Sequence, residues 1–261
     1  MRFTLFQSLL AILPLGVLAQ DKPPFQNTSE VPKHYGILLT PSVTPIDMFG
    51  PLDVFSALAM YYMNATGKMH LSILSVNSTP STTTPPMNGL TFGMGLPPTI
   101  TLDNYLELVR TNFSGSALPP LDFLLVPGGG GTRMDVTREI SFVKTIYPSL
   151  KTIMSVCTGS TILARAGVLD NRRATTNKKA WAWASSFGTN VTYVGSARWV
   201  KDGNVYTGSG VSAAVDTAYA YVSDVYGEKT AQWIADASEY TRWTNASYDP
   251  FAERWGVVGS S

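Results

Sequence analysis

Four short stretches of the chain are apolar almost without a break: 35–40 (YGILLT), 70–76 (HLSILSV), 121–126 (LDFLLV) and 151–156 (KTIMSV). A strand with one wet face alternates apolar and polar side chains, so unbroken apolarity predicts strands covered on both faces, as in a parallel sheet. Longer segments with apolar residues at helical spacing fall between and after them. They predict helices over 51–63, opened by Pro51 and carrying Leu52, Phe55, Leu58 and Tyr62; over 139–147; over 158–166, stopped by Gly167; and over 212–225, stopped by Gly227. Strand and helix in alternation predict an α/β domain whose working face lies at the C-terminal ends of its strands. No repeat or linker interrupts the pattern, so 34–261 reads as one domain behind a polar lead-in over 20–33. The Thr/Pro-rich stretch 77–89 reads as an irregular surface connection.

Residues 1–19 (MRFTLFQSLLAILPLGVLA) combine one Arg, an apolar run and Ala19 before Gln20. That is the grammar of a secretory signal peptide, and the run falls short of the about 20 residues a membrane-spanning helix needs. No membrane attachment is expected after cleavage. Six of the eleven asparagines open an N-x-Ser/Thr sequon: Asn27, Asn64, Asn77, Asn112, Asn190 and Asn245. With Ser and Thr together at 52 of 261 positions, chance would give about two. A eukaryotic glycoprotein, secreted or held in the secretory-pathway lumen, is the expectation.

Composition narrows the chemistry. Charged residues make up 14% of the chain, against roughly 25% in an ordinary domain. The net charge is +1 with no basic cluster, which argues against a nucleic-acid partner. One cysteine excludes an internal disulfide, and with only two separated histidines neither a Cys-rich zinc site nor an H-E-x-x-H centre is expected. The reactive candidates reduce to Cys157 and the carboxylates near it.

Cys157 follows the strand ending at 156 and precedes a helix, so it should sit at the working face. There the helix N-terminus is expected to lower its pKa and make it nucleophilic; a buried inert thiol is the alternative. Asp47 lies past the first strand in an apolar context, where burial would raise its pKa for acid–base work. Its alternative role is helix capping, which Asp53 is better placed to serve. The run 128–131 is four glycines without the Lys-Ser/Thr of a P-loop, and its amides could face a developing negative charge near the thiol; a tight turn is the other reading. His34 and His70 both open strands and should lie at the far end of the sheet, roughly 16 Å from the working face. Asp216, on an apolar helix, reads as a structural partner.

The stretches at 36–58 (GILLTPSVTPIDMFGPLDVFSAL), 122–133 (DFLLVPGGGGTR), 155–180 (SVCTGSTILARAGVLDNRRATTNKKA) and 205–222 (VYTGSGVSAAVDTAYAYV) together resemble the DJ-1/PfpI superfamily, in particular its isonitrile hydratase branch. The resemblance implies a flavodoxin-like three-layer α/β sandwich with a mainly parallel sheet and a nucleophile-elbow cysteine, usually a homodimer; no metal or organic cofactor is expected. In that branch the cysteine attacks the isocyanide carbon, and water converts the resulting thioimidate to an N-substituted formamide. The positions matching the cysteine, its aspartate and the following threonine are Cys157, Asp47 and Thr158. On the reading of the glycine run given above, Gly128, Gly129 and Thr158 are the expected backbone pocket. Other members pair the cysteine with a histidine in the segment that here reads Ala174-Thr175-Thr176-Asn177, so Asn177 removes that dyad. A hydratase acting on a small apolar electrophile is expected. The alternatives are another small-molecule enzyme, glyoxalase-like or tailoring a secondary metabolite, and a non-catalytic ligand-binding or redox-sensing protein.

Overall fold

In the computed structural model, residues 21–26 and 30–257 are described; the expected signal peptide and the sequon at Asn27 lie outside them. Each of the four unbroken apolar runs becomes a strand. Among the described residues the main sheet contains β1 (His34–Leu38), β2 (His70–Ser75), β3 (Ile100–Thr101), β4 (Phe123–Val126), β5 (Thr152–Val156), β6 (Trp199–Asp202) and β7 (Val205–Gly208), in the order β6-β7-β5-β4-β1-β2-β3. Neighbours run parallel except β6 and β7, which form an antiparallel hairpin turned at Gly203, φ 61°.

The flanking helices are α1 (Pro45–Thr66), α2 (Leu102–Arg110), α3 (Thr137–Ile146), α4 (Ser160–Arg165), α5 (Ala213–Tyr226) and α6 (Glu228–Ala237). Two cores explain why the strands are apolar throughout. Tyr35, Ile37, Phe123, Leu125, Met154 and Val156 face one way and pack on α1, α5 and α6. Leu38, Leu74, Leu124, Val126 and Ile153 face the other way and pack on α2, α3 and α4. Alternation with period two is intact; on β1, β4 and β5 both faces are dry.

The sequence placed the start of α1 at the wrong proline. Pro45 occupies the first turn, after Thr44 in an extended conformation, and Pro51 lies inside the helix. A proline there removes one backbone bond, the one to the carbonyl four residues back, and this helix tolerates it. Asp47 therefore lies within the first turn of α1 rather than in a loop before it. The helix expected over 158–166 is a 3-10 turn over Cys157–Gly159 followed by α4. Within 77–89, Ser81–Thr82 pairs with Gly95–Leu96 in a two-residue ladder.

Candidate active site

The strand order sets β1, β4 and β5 side by side. Adjacent strands are about 4.8 Å apart, so the chain leaving β4 passes between the segments leaving β1 and β5. Those three segments carry Gly128, Asp47 and Cys157 respectively.

Cys157 has φ 57°, a left-handed conformation rare for any residue but glycine. The strain is held by a local network: Ser160 Oγ and Thr176 Oγ1 each lie 3.1 Å from the Cys157 carbonyl oxygen and 2.8 Å from each other. Asn177 Nδ2 donates to Cys157 Sγ at 3.1 Å, while Asn177 Oδ1 accepts from the Ala180 amide at 3.0 Å. The second bond fixes which end of the side chain faces sulfur.

Asp47 is fully buried. Its Oδ2 accepts from the Gly128 amide at 3.0 Å and its Oδ1 has no hydrogen-bond partner; the Cys157 thiol is the neighbouring side chain that acts on the carboxyl group. Burial raises the Asp47 pKa from 3.8 to about 7 against the opposing pull of those two contacts. Burial first, and then the Asp47 charge, push the Cys157 thiol up to about 12, although the Thr158 amide, Asn177 and the Thr158 hydroxyl favour the thiolate. The expectation of a thiol acidified by a helix N-terminus is thus reversed. Desolvation and a neighbouring carboxylate outweigh the amides at the start of a six-residue helix. With the thiol raised above the carboxyl group beside it, full transfer of the proton from Cys157 to Asp47 ahead of bond formation is uphill. The arrangement therefore suits a thiol that loses its proton while sulfur forms its bond, with Asp47 as the acceptor.

The glycines serve close approach. A Cβ on Gly128 would lie 2.8 Å from Cys157 Cβ and 2.7 Å from the Thr158 amide nitrogen. Gly129, at φ 141°, lies against Ser42 O, where the segments after β1 and β4 are zipped by Thr44 N to Gly128 O at 2.9 Å and Gly130 N to Ser42 O at 3.0 Å. Contrary to expectation, the Gly128 and Gly129 amides do not await a developing charge. Gly128 N–H is committed to Asp47 and Gly129 N–H to Thr158 Oγ1 at 3.1 Å, which also accepts from Thr132 Oγ1 at 3.0 Å. The donors left at sulfur are the Thr158 amide and Asn177, with the Thr158 hydroxyl as the weakest of the three. By sequence Asn177 is only a missing histidine; its positive role as a donor to sulfur has no signal in the local pattern.

Both histidines open strands, as their positions suggested. His34 is buried at the first residue of β1, between Pro119 O at 2.6 Å and Ser72 Oγ at 2.8 Å, with the His70 ring 6.0 Å away. Asp216 is the structural partner expected: Arg198 Nε donates to it at 2.7 Å, Tyr240 OH at 2.8 Å and the Trp243 amide at 3.0 Å. Among the described residues no cluster of three or more His, Cys, Asp or Glu is arranged to hold a metal ion. An open cleft of about 340 Å³ reaches Asn177 and Ile46, the neighbour of Asp47.

Residues 36–224 match the profile of the DJ-1/PfpI family. The chain is 30% identical over 207 residues to an isonitrile hydratase from Pseudomonas putida, covering 78% of this chain and 77% of that protein. It is 29% identical over 128 residues to the HTH-type transcriptional regulator GbdR of Pseudomonas aeruginosa, a match spanning 49% of this chain and only 35% of the regulator. A solved THiJ/PfpI family protein from Pseudomonas syringae superposes with a TM-score of 0.63 at 25% identity, over 87% of this chain and 84% of that one.

Proposed function

The chain belongs to the DJ-1/PfpI family, and from that premise we propose that it is a cysteine-dependent hydratase converting isocyanides to N-substituted formamides. The observation that carries the reading is a buried thiol coupled to one carboxylate, Asp47, with an amide donor at sulfur where a dyad would place an imidazole. Similarity to the Pseudomonas putida isonitrile hydratase supports the same chemistry.

In the proposed reaction Cys157 sulfur bonds to the terminal isocyanide carbon, and the thiol proton passes through Asp47 to that same carbon. The product is a thioimidate, Cys–S–CH=N–R. Water adds to its carbon while nitrogen takes a proton, with Asp47 relaying it. Collapse of the adduct breaks the C–S bond, returns Cys157 as a thiol and releases HC(=O)NH–R. Asn177 and the Thr158 amide stabilise sulfur as charge builds and leaves.

The test is formamide production from a panel of isocyanides by purified protein, with Cys157→Ala as control. Turnover by wild type and none by a folded Cys157→Ala variant is expected. Absence of wild-type turnover across the panel would overturn the assignment.

The proposal extends to a secreted, glycosylated homodimer. Supporting glycosylation, Asn64, Asn77, Asn112, Asn190 and Asn245 are all exposed; loss of mass on endoglycosidase treatment is the check. Family resemblance and the exposed Phe49, Met60 and Met63 of α1 support the homodimer, which sedimentation equilibrium tests.

A further inference from the structure

The family match ends at residue 224, yet the chain continues and builds one side of the cleft beside the thiol. Phe251 in the helical segment Pro250–Arg254 and Trp255 at its C-cap, four residues on, line the cleft with Ile46 and Val211. They stay 37% and 52% exposed, while Ala252 of the helix and Val257 just beyond it are buried. The cleft ends one side chain from the thiol at Asn177, which is bonded to Sγ; Ile46, the chain neighbour of Asp47, lines it as well.

This wall is fixed in place. Its anchor is the buried Asp249, whose carboxylate accepts from Ser209 Oγ and from the Phe251 amide at 3.1 Å. The Asp249 amide donates to Ser196 O at 2.7 Å, and the Arg198 amide donates to Ala246 O at 2.8 Å. Lys178 and Arg198 each approach Asp249 to 3.9 Å, and Asp216 takes the other face of Arg198, so the two buried cations beneath the cleft are matched by carboxylates; the third cation of the lining, Lys179, is exposed and its Nζ lies over the Trp255 ring, 5.8 Å from the centroid. The buried floor carries no unmatched charge, and the one exposed cation at its edge is turned to an aromatic face. The cleft volume of about 340 Å³ exceeds the about 150 Å³ apolar cavity that takes up a benzene.

We propose that residues 243–257 form the substrate-selecting wall, with Phe251 and Trp255 admitting an isocyanide whose body is a neutral, ring-sized apolar group. The substrate class rests on the hydratase reading; the wall itself does not. Two measurements separate them. In the first, Phe251→Ala and Trp255→Ala lower kcat/KM for benzyl isocyanide by about tenfold, chiefly through KM, and leave methyl isocyanide within about twofold. In the second, calorimetry with N-benzylformamide, wild type binds and both variants bind several-fold more weakly. Both side chains are partly exposed, and unchanged urea midpoints would establish that the variants fold. Equal losses on the two substrates, no loss on either, or no binding of N-benzylformamide by wild type would overturn the wall. If wild type hydrates neither isocyanide but binds N-benzylformamide in a Trp255-dependent way, the hydratase reading falls and the wall stands.

Discussion

Replacing Asp47 by Asn tests the central electrostatic claim without depending on any substrate. The side chain is fully buried and its pKa rises from 3.8 to about 7, desolvation being the largest cause. The folded state therefore holds the proton more tightly than the unfolded one. A raised carboxyl pKa means that stability is lost as pH rises from about 4 to about 7 and stays lost above that. The gap between 3.8 and about 7 sets the size of this loss at about 4 kcal/mol. Asn keeps an acceptor for the Gly128 amide and cannot ionise. Asp47→Asn should thus match wild type at pH 4 and exceed it by about 4 kcal/mol at pH 8. At an m-value of about 2–3 kcal/mol/M that is a rise of more than about 1 M in urea midpoint. Urea unfolding of both proteins at pH 4, 6 and 8 is the assay. A gain independent of pH, or none at pH 8, would refute the raised pKa; in either case the variant should have lost formamide production.

Three further outcomes follow from the same geometry. With Asp47 titrating near 7, kcat/KM for an isocyanide should climb about tenfold per pH unit below 7 and level off above it; a flat profile from pH 5 to 8 would exclude Asp47 as the base. Asn177→Ala removes the donor at 3.1 Å from sulfur and should lower kcat by about 10²-fold with KM nearly unchanged, as for a lost charge-stabilising donor. Gly128→Ala would put a methyl 2.7 Å from the Thr158 nitrogen; with backbone as the neighbour, a loss of about 1–3 kcal/mol and a clearly lower melting temperature in calorimetry are expected.

The sequence revealed most where one residue type admits one structural explanation. Unbroken apolar runs require two dry faces, which the two cores supply throughout β1, β4 and β5, while β2 leaves Leu71 exposed near its start. The strand-end rule then brought Asp47, Gly128 and Cys157 together and sent His34 and His70 to the other end. Less could be read where tertiary context decides. Pro45 and Pro51 are equivalent as local start signals, and only packing of the whole of α1 selects the first. The thiol's pKa direction depended on its burial and on a carboxylate 110 positions away in the chain, neither of which local helix-terminus logic contains. Close approach at Gly128 and Gly129 was legible, but their hydrogen-bond partners come from α1 and from Thr158. The role of Asn177 was hidden because an amide in place of an imidazole looks like a loss until its orientation is known.

The raised thiol pKa is also what the proposed reaction requires. Hydration of an isocyanide begins with a 1,1-addition in which sulfur and hydrogen both end on the same carbon. A cysteine ionised at rest would already have given its proton to solvent, and the carbon would have to recover one from elsewhere. A thiol held near 12 beside a carboxyl group near 7 keeps nucleophile and proton together until the substrate carbon arrives. Asp47 then needs only to carry that proton from sulfur to the carbon bonding to it. Acyl transfer by a Cys-His pair has the opposite need, because the proton must go to a leaving group distant from sulfur. An imidazole at position 177 would suit that reaction; an asparagine, which donates to sulfur but cannot take its proton, suits the addition.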